Sequence, residues 1–569
     1  MKLLIKGGTI IDGTGSPAFV GDILVDGDRI VDIIPTPPTS QPTQPSQPPK
    51  PSKLSKLPKP SQPSQPSLSF PTLSAVGLIV SPGFIDAHTH SDAYLVIEPD
   101  APSKISQGIT TEINGMCGGS IAPRYGEARL SSDWAAILGE RLTWHSLGEY
   151  REVLAKARPA VNTVQFIGHN TLRSSVVGYA GRAATELELE QMKYLLEEAL
   201  EEGGFGFTTG LIYQPGKYAT DEEVVELARV TASHGGFYAT HMRSESSRVV
   251  ESIEEVIRLV MQTGIRAEIS HLKTSGRKNW CKIDQVIDTI GDAVGKGILL
   301  GSDRYPFCAS GTDLDVVFPD WAGEGAAKAE CERLADPKTR QRIVDEIDAQ
   351  DRDWSSVMIG GTWHPDNKRY SGKTVAEILG HETLDVRHES PVSRLTSSHT
   401  PGSLICDILA KDGCKTGAFF FVMNEENLDK ILAQPWIVPG SDASLRAPWG
   451  PLGADHPHPR AYATMPEFYR RLRQNPLLAE SERTREKAIA RMTSVPAERF
   501  GLKDRGVLRK GAFADIVVWK EDEFAAKSTF KSPHQFTTGV KCVMVNGTIS
   551  YADGKFTGER GGRFLENRG

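Results

Sequence analysis

Short runs of β-branched and aliphatic residues, alternating with polar ones, mark both ends of the chain. At the start these are Leu3-Leu-Ile-Lys, Thr9-Ile-Ile, Asp22-Ile-Leu-Val and Arg29-Ile-Val around the turn pair Asp26-Gly27. At the other end stand Asp515-Ile-Val-Val-Trp and Val540-Lys-Cys-Val-Met-Val, followed by Asn546-Gly547 and Asp553-Gly554. Two hairpin-rich ends around a long middle predict one small β-sandwich assembled from residues 1–76 and 501–569. In the middle, residues 77–500, apolar strand-like runs alternate with charge-patterned helical stretches such as 186–203 and 222–234. The runs fall at 77–90, 109–117, 161–169, 204–211, 236–243, 265–273, 297–305 and 436–442. Eight strands alternating with helices predict an α/β fold, a (β/α)8 TIM-like barrel, whose chemistry gathers at the C-terminal strand ends. Residues 306–434 are too many for one connection and predict an inserted subdomain or lid. A further run at 417–423 leaves the order of the last two strands open.

Composition adds boundaries to this picture. Residues 35–71 are almost entirely Pro, Ser, Gln, Thr and Lys, a composition that cannot bury enough apolar surface to order itself, so a disordered loop insertion is expected. The 569 residues, 39% hydrophobic and 24% charged, can bury a large core. Lys plus Arg (65) against Asp plus Glu (72) gives a net charge of −7, which offers no footprint for nucleic acid or an anionic membrane and favours a small-molecule substrate. The 7 cysteines include no CxxC pair, so reduced thiols are expected rather than a disulfide framework. Met1-Lys-Leu-Leu-Ile-Lys lacks the apolar core of a signal peptide, and no apolar stretch of about 18 residues occurs; a cytoplasmic location is the expectation.

Most predicted strands end in a residue that can bind metal or move a proton. The first ends in His88-Thr89-His90, the second in Cys117, the third in His169, the fifth in His241, the sixth in His271 with Lys273 beyond it, and the last in Asp442. A lone histidine or cysteine at such a place is more often a core or surface residue. Their joint position at strand ends is what argues for a metal site. Imidazoles, a thiolate and a carboxylate suit zinc, and the thiolate disfavours Mg²⁺ or Ca²⁺.

Longer motifs sharpen this reading. Ser81-Pro-Gly-Phe-Ile-Asp-Ala-His-Thr-His90, Gly206-Phe-Thr-Thr-Gly-Leu-Ile-Tyr213, Thr240-His-Met-Arg, Ile269-Ser-His-Leu-Lys273, Pro439-Gly-Ser-Asp442 and His456-Pro-His-Pro-Arg460 resemble the N-acyl-D-amino-acid deacylases (D-aminoacylases) of the amidohydrolase superfamily. The resemblance runs from Gly7 to about Gly562 apart from the Pro-rich insertion. It implies one tightly held zinc on Cys117, His241 and His271, and a second, weaker metal position on His88 and His90 with Cys117 and Asp442. It also implies Asp442 as general base and then acid, and Lys273, Tyr305 and Arg460 as contacts to the substrate carboxylate, with Tyr213 close by. His169 is a candidate for stabilising the oxyanion or for a supporting role behind the metal. The implied reaction is hydrolysis of the amide of an N-acyl-D-amino acid, and the preference for D substrates comes wholly from the resemblance. Two departures touch the pocket: Gly311 stands where the family usually has serine, and the loop 443–455 is longer than usual. A cyclic amidase of the hydantoinase kind, or a catalytically silent binding protein of the same fold, are the alternatives.

Overall fold

The computed structural model describes residues 2–37, 71–128, 130, 137–385 and 400–567. Most of the 35–71 insertion therefore lies outside the described residues. The eight barrel strands are Phe84–Asp86, Ile109–Asn114, Asn162–Gln165 continued by Ile167–Gly168, Gly206–Gly210, Phe237–His241, Arg266–Ile269, Leu300–Arg304 and Ile437–Pro439. Each pairs in parallel with the next. The ring closes between the last and first strands through the parallel bridge of Thr89 with Ala443 and the hydrogen bonds Ala87 N to Pro439 O (3.0 Å) and Asp442 N to His88 O (2.8 Å).

The expected first strand is two strands. Ile79–Pro82 pairs antiparallel with Ile516–Trp519, and the chain then breaks at Gly83 to enter the barrel at Phe84. A Cβ at Gly83 would stand 2.0 Å from Thr110 Oγ1, so only glycine lets the two sheets meet there. Through Ile79–Pro82 both chain ends join one nine-stranded sheet. Both faces of its strand Ile516–Trp519 are buried: Ile516 and Val518 face a small core with Leu3, Ile23 and Val25, while Val517 and Trp519 face the barrel core.

The run at 417–423 is settled by pairing. Gly417–Phe420 lies between Ser310–Asp313 and Val357–Ile359 in an antiparallel sheet of its own, so Ile437–Pro439 is the eighth barrel strand. Residues of the 306–434 stretch also hold a separate apolar core around Leu314, Ile343, Ile405 and Phe420. Helices Leu147–Ala157 and Glu186–Glu201 start at capping boxes, Ser146 with Glu149 and Thr185 with Glu188, as their sequences dictate. Among the described residues no helix is long and apolar enough to cross a membrane.

Candidate metal centre

The chemistry-bearing residues gather at the C-terminal ends of the barrel strands. Cys117, His271 and Asp442 lie two or three residues beyond the strands Ile109–Asn114, Arg266–Ile269 and Ile437–Pro439, all in left-handed backbone with φ of 55°, 37° and 50°. Such conformations cost about 1–3 kcal/mol each for residues other than glycine and persist only where surrounding structure holds them. Here they turn a thiol, an imidazole and a carboxyl inward over the barrel mouth. Neighbouring backbone makes room: a Cβ at Gly440 would lie 2.5 Å from Asp303 Oδ1 and 2.6 Å from His88 Cβ.

One ligand atom each from His88, Cys117, His271 and Asp442 falls within 4.8 Å of the others. Cys117 Sγ is 3.3 Å from both His88 Nε2 and His271 Nε2, and Asp442 Oδ1 is 3.5 Å from His88 Nε2 and 3.1 Å from His90 Nε2. A second donor group consists of His241, Glu245 and His271. His241 thus stands beside Glu245, with its Nε2 3.5 Å from Glu245 Oε2, and belongs to the second of the two donor groups while also acting on Cys117 of the first. Its ring centroid is 4.5 Å from that of His271, which belongs to both groups.

The electrostatics call for a cation. Burial opposes ionisation of the Cys117 thiol, but His88 and His271 outweigh it and hold the pKa well below the usual thiol value. Burial likewise opposes charge on Asp442 and Glu245. Arg460 and His271 hold Asp442 well below the carboxylate range, and His241, Lys273 and His271 do the same for Glu245. Burial and Lys273 disfavour protonation of His271, yet Asp442, Cys117 and Glu245 push it up to about 10. A metal cation held by these groups would meet the same negative charges that raise the His271 pKa. Both ring nitrogens of His241 are buried without a hydrogen-bond partner, which is how a ligand awaiting its ion looks. A thiolate with imidazoles and a carboxylate fits zinc.

The supporting contacts fix the ligands. His88 Nδ1 is 3.0 Å from Asp303 Oδ2, so Nδ1–H donates there and Nε2 is left to ligate. Asp303 Oδ1 also accepts the His271 backbone N–H at 3.0 Å. Lys104, fully buried, donates to Asp86 (2.9 Å), to Ser441 Oγ (3.0 Å) and to Ala443 O (2.9 Å), and lies 3.1 Å from Glu112. It therefore grips both neighbours of Asp442. Glu245, Asp303 and Lys104 were not singled out from the sequence. The spacing His241-x-x-x-Glu245 and the place of Asp303 in the seventh strand were the available signals.

The implied substrate residues surround this cluster. Arg460 Nη1 donates to Asp442 Oδ2 at 2.6 Å, and its guanidinium carbon lies 4.6 Å from the Tyr305 ring centroid. Lys273 Nζ pairs with Glu245 and lies 2.8 Å from His271 Nδ1. Tyr213, 38% exposed, meets His241 edge-on at 4.8 Å. His169 sits at the end of the third strand between Gly168 and Asn170, which pack against Gly118 beside Cys117. It opens the helix His169–Val176, its Nε2 is 2.8 Å from Glu223 Oε1, and Glu223 also binds Arg173, so its recorded contacts join it to a buried ion pair and not to the donor groups.

The amidohydrolase family matches residues 72–309 and 412–551. The chain belongs to that family. It is 31% identical over 568 residues, 99% of this chain and 94% of the relative, to the N-acyl-D-aspartate deacylase of Alcaligenes xylosoxydans xylosoxydans. A solved D-aminoacylase, described with a binuclear metal centre showing one-metal activation and second-metal attenuation, superposes with a TM-score of 0.76 at 29% identity over 99% of both chains. The N-acyl-D-glutamate deacylase of Bordetella bronchiseptica, solved with zinc and a phosphonate mimic of the tetrahedral intermediate, gives a TM-score of 0.75 at 30% identity, again over 99% of both chains.

Proposed function

We propose that this amidohydrolase is a zinc-dependent deacylase that hydrolyses the linear amide of N-acyl-D-amino acids. The observation that carries the reading is the buried cluster of His88, Cys117, His271 and Asp442 with Arg460 bound to the same carboxylate. The residues 77–500 form the catalytic unit in this reading, 306–434 its inserted part, and the two chain ends the attached β-domain. Zinc bound at the cluster supplies Lewis acidity to the acyl carbonyl and to the attacking water.

Asp442 is the proton carrier. Held as a carboxylate, it accepts a proton from the attacking water and returns it to the departing amine, so one group serves as base and then acid. Arg460 couples this to recognition. Its Nε and the Tyr305 hydroxyl are both buried without hydrogen-bond partners, two donors ready for the substrate carboxylate. When that carboxylate takes a share of the guanidinium, the hold on Asp442 loosens and its basicity rises, so the base is strengthened by the group that marks a correct substrate.

Metal analysis and paired assays on N-acetyl-D- and N-acetyl-L-amino acids test the reading. Asp442→Asn is expected to lose ~10² to 10⁴-fold in kcat while still binding substrate. Equal turnover of D and L substrates, or a variant keeping more than roughly a tenth of the rate against that expected loss, overturns it.

A further inference from the structure

The cation under Tyr305 is not accounted for by the ion pairs around it. Arg304 closes the barrel strand Leu300–Arg304 and is 1% exposed. Asp303 faces His88 and His271, so strand alternation sends Arg304 the other way, beneath the residue that follows it. Its guanidinium carbon is 4.0 Å from the Tyr305 ring centroid, and Nη2 donates to Phe307 O at 2.8 Å and lies 3.0 Å from Met423 Sδ. Nε and Nη1 are buried with no hydrogen-bond partner. Among the described residues no carboxylate comes within the 4.0 Å of an ion pair. The other two cations nearby are spoken for, Lys273 by Glu245 and Arg460 by Asp442.

We propose that Arg304 is a positioning residue for substrate recognition, supplying through the Tyr305 ring the positive charge that the carboxylate of an N-acyl amino acid meets. This rests on the deacylase reading of the same site. A buried charge without a counter-ion is expensive to keep, and an arriving carboxylate is the counter-ion the site lacks. The guanidinium on the Tyr305 face pulls electron density from the ring, which makes the unpartnered phenol a stronger donor to that carboxylate. Arg460, already neutralised by Asp442, contributes the directional bonds, and Arg304 contributes net charge.

The test compares Arg304→Met and Arg304→Lys with wild type on an N-acetyl-D-amino acid and on the matching N-acetyl-D-amino-acid amide, which keeps the scissile acyl bond but lacks the carboxylate. Arg304→Met is expected to raise KM for the acid by roughly tenfold or more with kcat changed less than about threefold, and to leave KM for the amide unchanged. Arg304→Lys, which keeps the charge, should recover most of the loss. Equal effects on acid and amide, or an unchanged KM for the acid, overturn the proposal and make Arg304 a packing residue. Wild type inactive on D substrates sinks the deacylase reading instead. Calorimetric binding of the N-acetyl amino acid to wild type and Arg304→Met then decides the role of Arg304 without turnover, a similar Kd in both overturning it.

Discussion

The left-handed backbone of the terminal sheet and that of the barrel mouth invite comparison. In the terminal sheet Asn546 and Asp553 adopt φ of 47° and 49°, each followed by glycine in a tight hairpin turn. Asn and Asp tolerate that conformation, and the turn needs it, so local chemistry and global fold agree. At the barrel mouth the same conformation falls on Cys117, which Gly118 follows in a turn closed by the bond from Gly119 N to Met116 O (3.1 Å), and on His271 and Asp442, which no glycine follows. The second contrast is in what is buried. The sheet packs Ile516, Val518, Leu3 and Val25 into hydrocarbon with one buried ion pair, Arg505 with Asp515, at its edge, whereas the mouth buries Lys104, Asp86, Glu112 and Asp303 together. At the mouth strained residues and buried charges thus stand side by side around the donor groups, while the sheet is held chiefly by apolar packing.

The largest effect expected from breaking this contrast is at Cys117. Cys117→Ala removes the thiolate shared by the donor cluster, so zinc is expected to fall from about one per chain to a trace and activity by more than ~10²-fold. Full zinc content in the variant removes Cys117 from the ligand set.

Lys104→Met probes the one place where the mouth also carries stability. The substitution leaves Asp86 and Glu112 buried without their cation, and breaking one side of a buried ion pair costs about 3–5 kcal/mol. Denaturant unfolding should show that loss, together with a lower kcat, since Ser441 and Ala443 on either side of Asp442 are released. An unchanged unfolding free energy would mean that Lys104 does not hold these two carboxyls in the folded state.

Ile516→Ala is the counterpart in the sheet. Removing a fully buried aliphatic side chain costs about 2–5 kcal/mol. Stability should fall by that amount with kcat/KM unchanged; a parallel loss of activity would show that the sheet and the mouth are mechanically coupled through Ile79–Pro82.

The same contrast sets what could be read from the sequence. The eight strands and the paired chain ends were legible, because period-two alternation and Asn-Gly or Asp-Gly turns are local signals. The first strand was read as continuous since no pattern of apolar residues marks the break at Gly83, which is imposed by the approach of Thr110. His88, Cys117, His241, His271 and Asp442 were legible as strand-end residues. The division into two donor groups was not, because it depends on how the chain bends after the strands end. His169 carried the same signal as His241, and only the start of a helix at that residue turns it toward Glu223. Glu245 carried one local signal, its spacing from His241, but its bonds to His271 and Lys273, like the place of Arg304 against Tyr305 and Met423, come from the fold and not from periodicity.

The smallest effect is expected where charge is exposed. On the terminal sheet side Glu523 accepts from Lys520 Nζ at 2.8 Å and Lys541 Nζ at 2.6 Å, with all three side chains about two-fifths exposed. Lys520 and then Lys541 lower the Glu523 pKa to about 2, below the value of 4.5 it has when unperturbed. A carboxyl whose folded pKa is depressed contributes stability that is fully present above its unfolded pKa and is lost as pH falls through its folded one. For Glu523 that window runs from 4.5 down to about 2. Solvent and salt screen such a pair, so Glu523→Gln should lower stability at neutral pH far less than Lys104→Met does. The difference from wild type should shrink in high salt and vanish at the acid end of the window. A Glu523→Gln loss that matched the Lys104 variant, or that persisted in high salt, would show that exposure does not separate the two kinds of charge in this protein.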